Sequence, residues 1–248
     1  MPKTRLDLLL VARQLAESRA RAQALIMAGD VRVNGEVELK ASAQVDPDVP
    51  ITIRAAPRFV SRGGEKLEAA LAAFPVRVQG AVCADVGAST GGFTDCLLQH
   101  GAARVYAIDV GKGLLHWKLR RDERVVVMES TNARHVADLP ESVGLVTIDA
   151  SFISLKIILP VVRGWLDAND PAGSVIALIK PQFEAGRRET ARGKGVIRDP
   201  QVHQAVLADI LAFASGQGFS LLGQTRSPVL GPKGTIEFLA WLGLNPAA

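Results

Sequence analysis

Apolar residues near the start of the chain recur at helical intervals, and further along they gather into short dense runs, so two patterns divide the sequence. From Arg5 to Ala16, "RLDLLLVARQLA" sets Leu6, Leu9, Leu10 and Arg13 on one helical face. Ser18 then stands as an N-cap before "RARAQALIMAG", where Ala20, Ala24, Leu25 and Met27 or Ala28 repeat about once per turn. Gly29 is placed to end that helix, and "DVRVNGEVELKA" alternates polar and apolar residues around Asn34-Gly35, the strongest short hairpin signal. "PDVPITIR" adds a further short strand.

A helix over "EKLEAALAAF" opens the second pattern, followed by seven apolar runs: "AVCADVGA", "RVYAIDV", "RVVVMES", "GLVTIDA", "SVIALIKP", "FSLLGQTRSP" and "GTIEFLAWLG". Strands separated by helical stretches predict an α/β fold, a doubly wound, mostly parallel seven-stranded Rossmann-like sheet. A small α+β domain precedes it. Pro57 and the Gly63-Gly64 pair flank a stretch without clear period, which sets the expected division at a first domain 1–57, a linker 58–62 and a second domain 63–248.

With 248 residues, 48% hydrophobic and 22% charged, the chain can bury a sizeable core. Its start, "MPKTRLDLLL", has no signal-peptide pattern, and no run approaches the ~20 apolar residues of a membrane span. A cytoplasmic protein without membrane contact is expected. Cys83 and Cys96 match no disulfide or zinc spacing and read as small buried hydrophobes. His100, His116, His135 and His203 are scattered without the mutual spacing of a helical metal site, so no metal is expected. A net charge of +4 allows a polyanionic partner without requiring one.

Candidate chemistry starts with "CADVGASTGGFTDCLLQHGA", a strand ending at Asp85-Val86-Gly87, a glycine loop and a helix. The spacing is G-x-x-x-G-G, a poor match to the pyrophosphate cradle of dinucleotide enzymes. Asp85 would repel a pyrophosphate but suits the amino group of an amino-acid moiety, and S-adenosylmethionine has that moiety and no phosphate. Cofactor contacts are therefore assigned to Asp85, Gly87, Ser89, Thr90, Gly91, Gly92 and Phe93. Asp109, ending the second strand, is assigned to ribose hydroxyls, Asn132 to adenine, and Asp149 also belongs to the set. An ordinary strand-to-helix turn would use the same glycines. Asp149 in "LVTIDAS" and Lys180 in "VIALIKP" end almost wholly apolar runs, at the strand ends where open parallel sheets bind ligands. A lysine so placed can take a proton from an alcohol. Lys66 and Glu237 are further candidates, and each could equally be a salt-bridge partner.

The pattern "RLD" followed by "SRARAQALIMAGDVRVNG" resembles the RNA-binding module first described in ribosomal protein S4, which implies RNA contacts from Arg5, Arg19 and Arg21. Lys66, Asp149, Lys180 and Glu237 occur in the order of the Lys-Asp-Lys-Glu tetrad of FtsJ-like ribose 2′-O-methyltransferases. Together these features resemble the TlyA-type family, bacterial ribosomal RNA 2′-O-methyltransferases acting on cytidine and often labelled haemolysins. The resemblance implies S-adenosylmethionine as cofactor and ribosomal RNA or a ribosomal subunit as partner. It also implies catalysis in which Lys180 accepts the ribose 2′-hydroxyl proton, Asp149 and Lys66 orient that oxygen, and Glu237 positions Lys66 or the ribose. "PRFV" is similar to the family's connecting tetrapeptide, with Phe59 where the family has tryptophan. The short lead-in "MPKTRLD" favours large-subunit RNA. In "KPQFEAGRRETARGKGVIRD", Arg187, Arg188, Arg192 and Lys194 follow the catalytic strand and read as a basic flap over RNA phosphates. Rival readings are a non-catalytic ribosome-assembly factor, which a methyl-transfer assay separates, and a membrane-lytic haemolysin. The latter calls for a long amphipathic basic helix or an apolar hairpin that the sequence lacks. A base methyltransferase would add an N-P-P-type clamp, also missing.

Overall fold

The computed structural model describes residues 2–54, 57–167, 170, 172–186 and 196–245, and the chain forms two compact units, Met1–Pro57 and Arg58–Ala248. In the first, β1 (Thr4–Arg5) runs directly into α1 (Leu6–Ala12) and is followed by α2 (Arg19–Met27), β2 (Val31–Val33), β3 (Glu36–Val37), β4 (Gln44–Val45) and β5 (Ile51–Ile53). Strand β2 pairs antiparallel with β3 and β5, and β1 pairs with β4. Leu6, Leu10, Ala16, Ala22, Ile26 and Val31 form the core. The β2–β3 turn holds Asn34 at φ 53° and Gly35 at φ 84°, the left-handed pair a two-residue hairpin requires. Ser18 Oγ accepts the Arg21 N–H at 3.2 Å, the expected N-cap.

Two expectations for this unit are corrected. The helix read from Arg5 to Ala16 stops at Ala12, because Gln14 turns to φ 58° and the Arg13 side chain donates to the carbonyls of Val49 and Pro47. Tertiary hydrogen bonds outweigh local helix propensity there. Helix α2 buries Ala22 and Ile26 rather than Met27, which is 72% exposed. Those two residues lie one turn apart, and the small Ala22 side chain lets α2 close on α1.

The second unit contains α3 (Gly63–Ala73), β6 (Val82–Val86), α4 (Gly92–Gln99), β7 (Arg104–Ile108), α5 (Trp117–Arg120), β8 (Val125–Met128) and β9 (Leu145–Ile148). Then come α6 (Leu155–Trp165), β10 (Ser174–Ile179), α7 (Pro181–Glu184), α8 (Pro200–Gly216), β11 (Phe219–Arg226) and β12 (Phe238–Leu244). Seven strands form one sheet in the order β11-β12-β10-β9-β6-β7-β8, with β12 antiparallel to both neighbours and the pairings from β10 through β8 parallel. This is the doubly wound architecture the apolar runs predicted. All six residues of β10 are buried, as its unbroken apolar run requires. Alternation along β6 sends Ala84 and Val86 to one core and Cys83 to the other.

Residues 58–62, read as a linker, pack within the second unit. Phe59 is buried so tightly over α3 that a Cβ on Gly64 would lie 2.2 Å from its ring. The Val60 N–H donates to Asp95 Oδ2 at 2.9 Å, and Arg58 pairs with Glu68 at 2.5 Å. Arg187, Arg188, Arg192 and Lys194 of the expected flap lie outside the described residues. No helix among those described is long and apolar enough to cross a membrane.

Candidate active site

Four parallel strands, β6, β7, β9 and β10, deliver their carboxyl ends to one crevice. At the end of β6 the chain turns through Gly87, held at φ 84°, where a Cβ would stand 2.8 Å from the Asp149 carbonyl. Glycine is what lets the ends of β6 and β9 approach this closely. At the end of β7, Asp109 accepts the Ser89 N–H through Oδ2 (2.8 Å) and the Gly111 N–H through Oδ1 (2.7 Å), which fixes its carboxylate against the glycine loop. Asn132 Oδ1 accepts the Arg134 N–H at 3.2 Å. Gly87, Ser89, Asp109, Asn132 and Asp149 line a cavity of about 580 Å³ whose other walls include Ile108, Leu114 and Ile157. Its mixture of apolar surface and a few fixed polar groups suits a nucleoside-sized molecule.

A second cavity, about 360 Å³, is lined by Lys66, Asp149, Lys180 and Glu237 with Thr90, Gly92 and Phe93. Lys66 Nζ lies 2.6 Å from Glu237 Oε2 and 3.9 Å from Asp149 Oδ2. Lys180 Nζ lies 2.5 Å from Asp149 Oδ1 and donates to the carbonyls of Asp149 (3.3 Å) and Ala150 (3.1 Å) and to Ser151 Oγ (3.0 Å). Two lysines and two carboxylates thus alternate in one chain of contacts, and each lysine and Glu237 is buried. Charges out of water persist only when paired in this way. Glu237 Oε1 has no hydrogen-bond partner among the described residues, although Glu237 is only 1% exposed. A buried carboxylate oxygen left open beside a cavity is ready to accept from a bound hydroxyl. Gly87, Ser89, Asp149 and Ser151 line both cavities, which meet at the ends of β6 and β9.

Asp85 and Gly91, also assigned to the cofactor, line neither cavity. Asp85 is fully buried beneath the loop, where it accepts from Thr94 Oγ1 (2.7 Å) and Thr147 Oγ1 (3.2 Å), tying β6 to α4 and β9. Burial pushes its carboxyl up to about 7, against the hydroxyl hydrogen bonds that favour ionisation. Unfolded, it releases its proton near pH ~4, so the folded state holds more protons between that pH and about 7. Stability therefore falls as pH rises across this window and levels off above it. Asp85→Asn is expected to flatten the dependence, read as melting temperatures from pH 4 to 8, with a difference in slope worth on the order of 5 °C. Equal slopes for the two proteins would show that Asp85 does not titrate there.

Sequence reasoning missed Ser151, which anchors Lys180 and lies in the wall between the cavities. The signal was its place just two residues after Asp149. It also missed Arg62 and Gly231 in the second cavity. The histidine spacing overlooked a helical Cys96–His100 pair that meets Glu68: His100 Nε2 is 3.1 Å and Cys96 Sγ 3.7 Å from Glu68 Oε2. Burial, followed by the nearby Glu68 charge, raises the Cys96 thiol far above its ordinary value, so it sits as a neutral donor beside the Arg58–Glu68 ion pair.

The first unit holds the arginines assigned to RNA. Asp7, wholly buried, takes both forks of Arg5 (3.0 and 2.9 Å), Arg19 Nε (3.0 Å) and Gln23 Nε2 (2.9 Å). Each guanidinium keeps further N–H donors beyond those used on Asp7. Arg21, in the first turn of α2, is exposed.

Comparison with known proteins places this arrangement. A model of the FtsJ-like methyltransferase family matches residues 59–244, and one of the S4 domain matches residues 4–51. YqxC of Bacillus subtilis is 50% identical over 97% of this chain and 85% of its own. The 16S/23S rRNA (cytidine-2′-O)-methyltransferase TlyA of Mycobacterium tuberculosis is 43% identical over 97% of this chain and 90% of its own. A solved structure from Streptococcus thermophilus, named for a hemolysin, superposes with a TM-score of 0.75 at 44% identity, covering 100% of this chain and 90% of that one. With its glycine loop, its lysine and carboxylate chain and its arginine-bearing amino-terminal unit, this protein belongs to the FtsJ-like methyltransferase family and carries an S4 domain.

Proposed function

We propose that the protein transfers a methyl group from S-adenosylmethionine to the ribose 2′-oxygen of a cytidine in ribosomal RNA, the activity for which its Mycobacterium tuberculosis relative is named. The observation that carries this reading is the shared wall between two cavities, one suited to a nucleoside and one holding Lys66, Asp149, Lys180 and Glu237. The residues present fit the cofactor: Gly87, Ser89, Asn132 and Asp149 line a nucleoside-sized cavity, and the fixed Asp109 carboxylate beside them can accept from ribose hydroxyls. When bound, S-adenosylmethionine supplies an activated methyl group on a sulfonium.

In this reading Lys180 acts as the neutral amine, its lone pair accepting the 2′-hydroxyl proton to give the ammonium that Asp149 and Ser151 then hold, while Lys66 and the open Glu237 oxygen orient the ribose. In the same reading the first unit grips RNA, through Arg5, Arg19 and Arg21, and the second carries the chemistry, which the division near residue 57 supports. The sequence offers Arg187, Arg188, Arg192 and Lys194 as further phosphate-binding cations. The deciding assay incubates the protein with unmodified large and small bacterial ribosomal subunits and labelled S-adenosylmethionine, then maps the product. A 2′-O-methylated cytidine is expected. RNA binding without any incorporation would instead make the protein a non-catalytic binding factor.

A further inference from the structure

Helix α5 carries an indole into solvent. Trp117 is 64% exposed, although Leu115 and Leu119 on either side of it are buried. The burial of those leucines fastens α5 to the glycine loop: a Cβ on Gly91 would meet Leu119 Cδ1 at 2.2 Å, and the His116 N–H donates to the Thr90 carbonyl at 3.1 Å. What remains is an outward face that the core does not use. The Arg121 guanidinium lies over the Trp117 ring, 5.5 Å from its centroid, with the His116 ring 5.6 Å away. Lys118 and Arg120 on the same helix are exposed, as is Lys112 in the loop that leads into it. Lys118 reaches Asp95 and Arg120 reaches Glu129, whereas Arg121 and Lys112 make no ion pair among the described residues. Val110 and Leu114, both exposed at the rim of the nucleoside-sized cavity, connect this face to the site.

We propose that the Trp117–Arg121 face is an RNA platform of the second unit, on which an unpaired base stacks while the flanking cations hold its phosphates beside the methyl-transfer site. This rests on the ribosomal RNA reading above. Every base presents a π-face, so an indole backed by a guanidinium holds single-stranded RNA without demanding a particular sequence. The charge around it favours a polyanion over a protein partner, because the cores of protein interfaces are depleted in lysine.

The platform makes its own optical probe, since Trp165 and Trp241 are buried or partly buried while Trp117 faces solvent. Titrating the full chain with protein-free ribosomal RNA, without S-adenosylmethionine, should quench the exposed indole, and Trp117→Phe should lose that signal while keeping most of the affinity. Trp117→Ala should weaken RNA binding roughly tenfold and raise the RNA KM in proportion. Both kcat and S-adenosylmethionine affinity should stay within about twofold of the parent protein. Arg121→Gln should make the logarithmic salt dependence shallower by about one unit. Unchanged RNA affinity in Trp117→Ala would overturn the proposal. So would a parallel loss of S-adenosylmethionine affinity, which would make α5 a mere support of the glycine loop. Weaker binding to intact subunits with undiminished binding to free RNA would assign the face to a ribosomal protein instead. A parent protein that binds RNA but transfers no methyl group would sink the catalytic reading alone, and the quenching and affinity comparisons would still decide the platform.

Discussion

Lys180→Ala is expected to lower kcat for methyl transfer by about a thousandfold or more while S-adenosylmethionine affinity stays within about threefold. The first figure follows from the role: a positioned proton acceptor contributes ~10²–10⁴ in rate, and loss of alignment adds to it. The second follows from position, because Lys180 lines only the tetrad cavity and makes none of the nucleoside-cavity wall. Its nitrogen holds Asp149 through Oδ1 and both following polar groups, the Ala150 carbonyl and Ser151 Oγ, so the alanine variant also loosens that strand end. Lys180→Met, which keeps most of the stem volume, separates the two effects. If both variants melt like the parent and bind the cofactor normally yet fail to turn over, the amino group itself is required. Cofactor affinity falling in step with kcat would assign Lys180 to the architecture of the site instead. Lys66→Ala would be a poorer probe, since it strands the buried Glu237 carboxylate 2.6 Å from a vanished partner.

The inner strands were legible because β9 and β10 are buried on both faces, and burial on both faces leaves continuous apolar runs such as "SVIALI" that no charged residue interrupts until the strand ends. That interruption is also why Asp149 and Lys180 could be picked out: a charge at the end of such a run needs a use. Lys66 and Glu237 carry no comparable local mark. They lie 171 positions apart and become a pair only through the fold, so family resemblance rather than spacing brought them together. Asp85 shows the converse. Its position before the glycine loop suggested a ligand contact, but the hydroxyls of Thr94 and Thr147 claim its carboxyl from other elements, and neither hydroxyl is visible as a partner in one dimension. The amino-terminal helix is shorter than its apolar pattern predicts for the same reason, since the carbonyls that draw Arg13 out of it belong to Pro47 and Val49, on a loop more than thirty residues away.

Asp7→Ala is expected to destabilise the first unit more than any other change to a charged residue there. In the sequence Asp7 counts as one acid among the arginines, but in the fold it is a wholly buried acceptor shared by Arg5, Arg19 and Gln23, joining α1 to α2. The hydrogen bonds from Arg5, opposed by burial and reinforced by Gln23 and Arg19, hold its carboxyl well below the usual carboxylate range. The group thus contributes stability that is complete above pH ~4 and is lost as pH falls toward its folded value. Removing it leaves two guanidinium groups and an amide without their common acceptor, at a cost on the order of 2–4 kcal/mol. A unit of this size has only about 5 kcal/mol in reserve, so the loss should bring it close to unfolding at 37 °C. Hydrogen exchange on the full chain reads this locally: amides of α1, α2 and β2 should exchange at least tenfold faster, while those of β6 and β7 stay unchanged. RNA affinity should fall with them, because the Asp7 contacts are what hold Arg5 and Arg19 in place. S-adenosylmethionine affinity should not. Asp7→Asn should fall between the two, keeping an acceptor for one guanidinium but not the charge. Unaltered exchange in α1 and α2 with a selective loss of RNA binding would mean that Asp7 orients the arginines without supporting the fold.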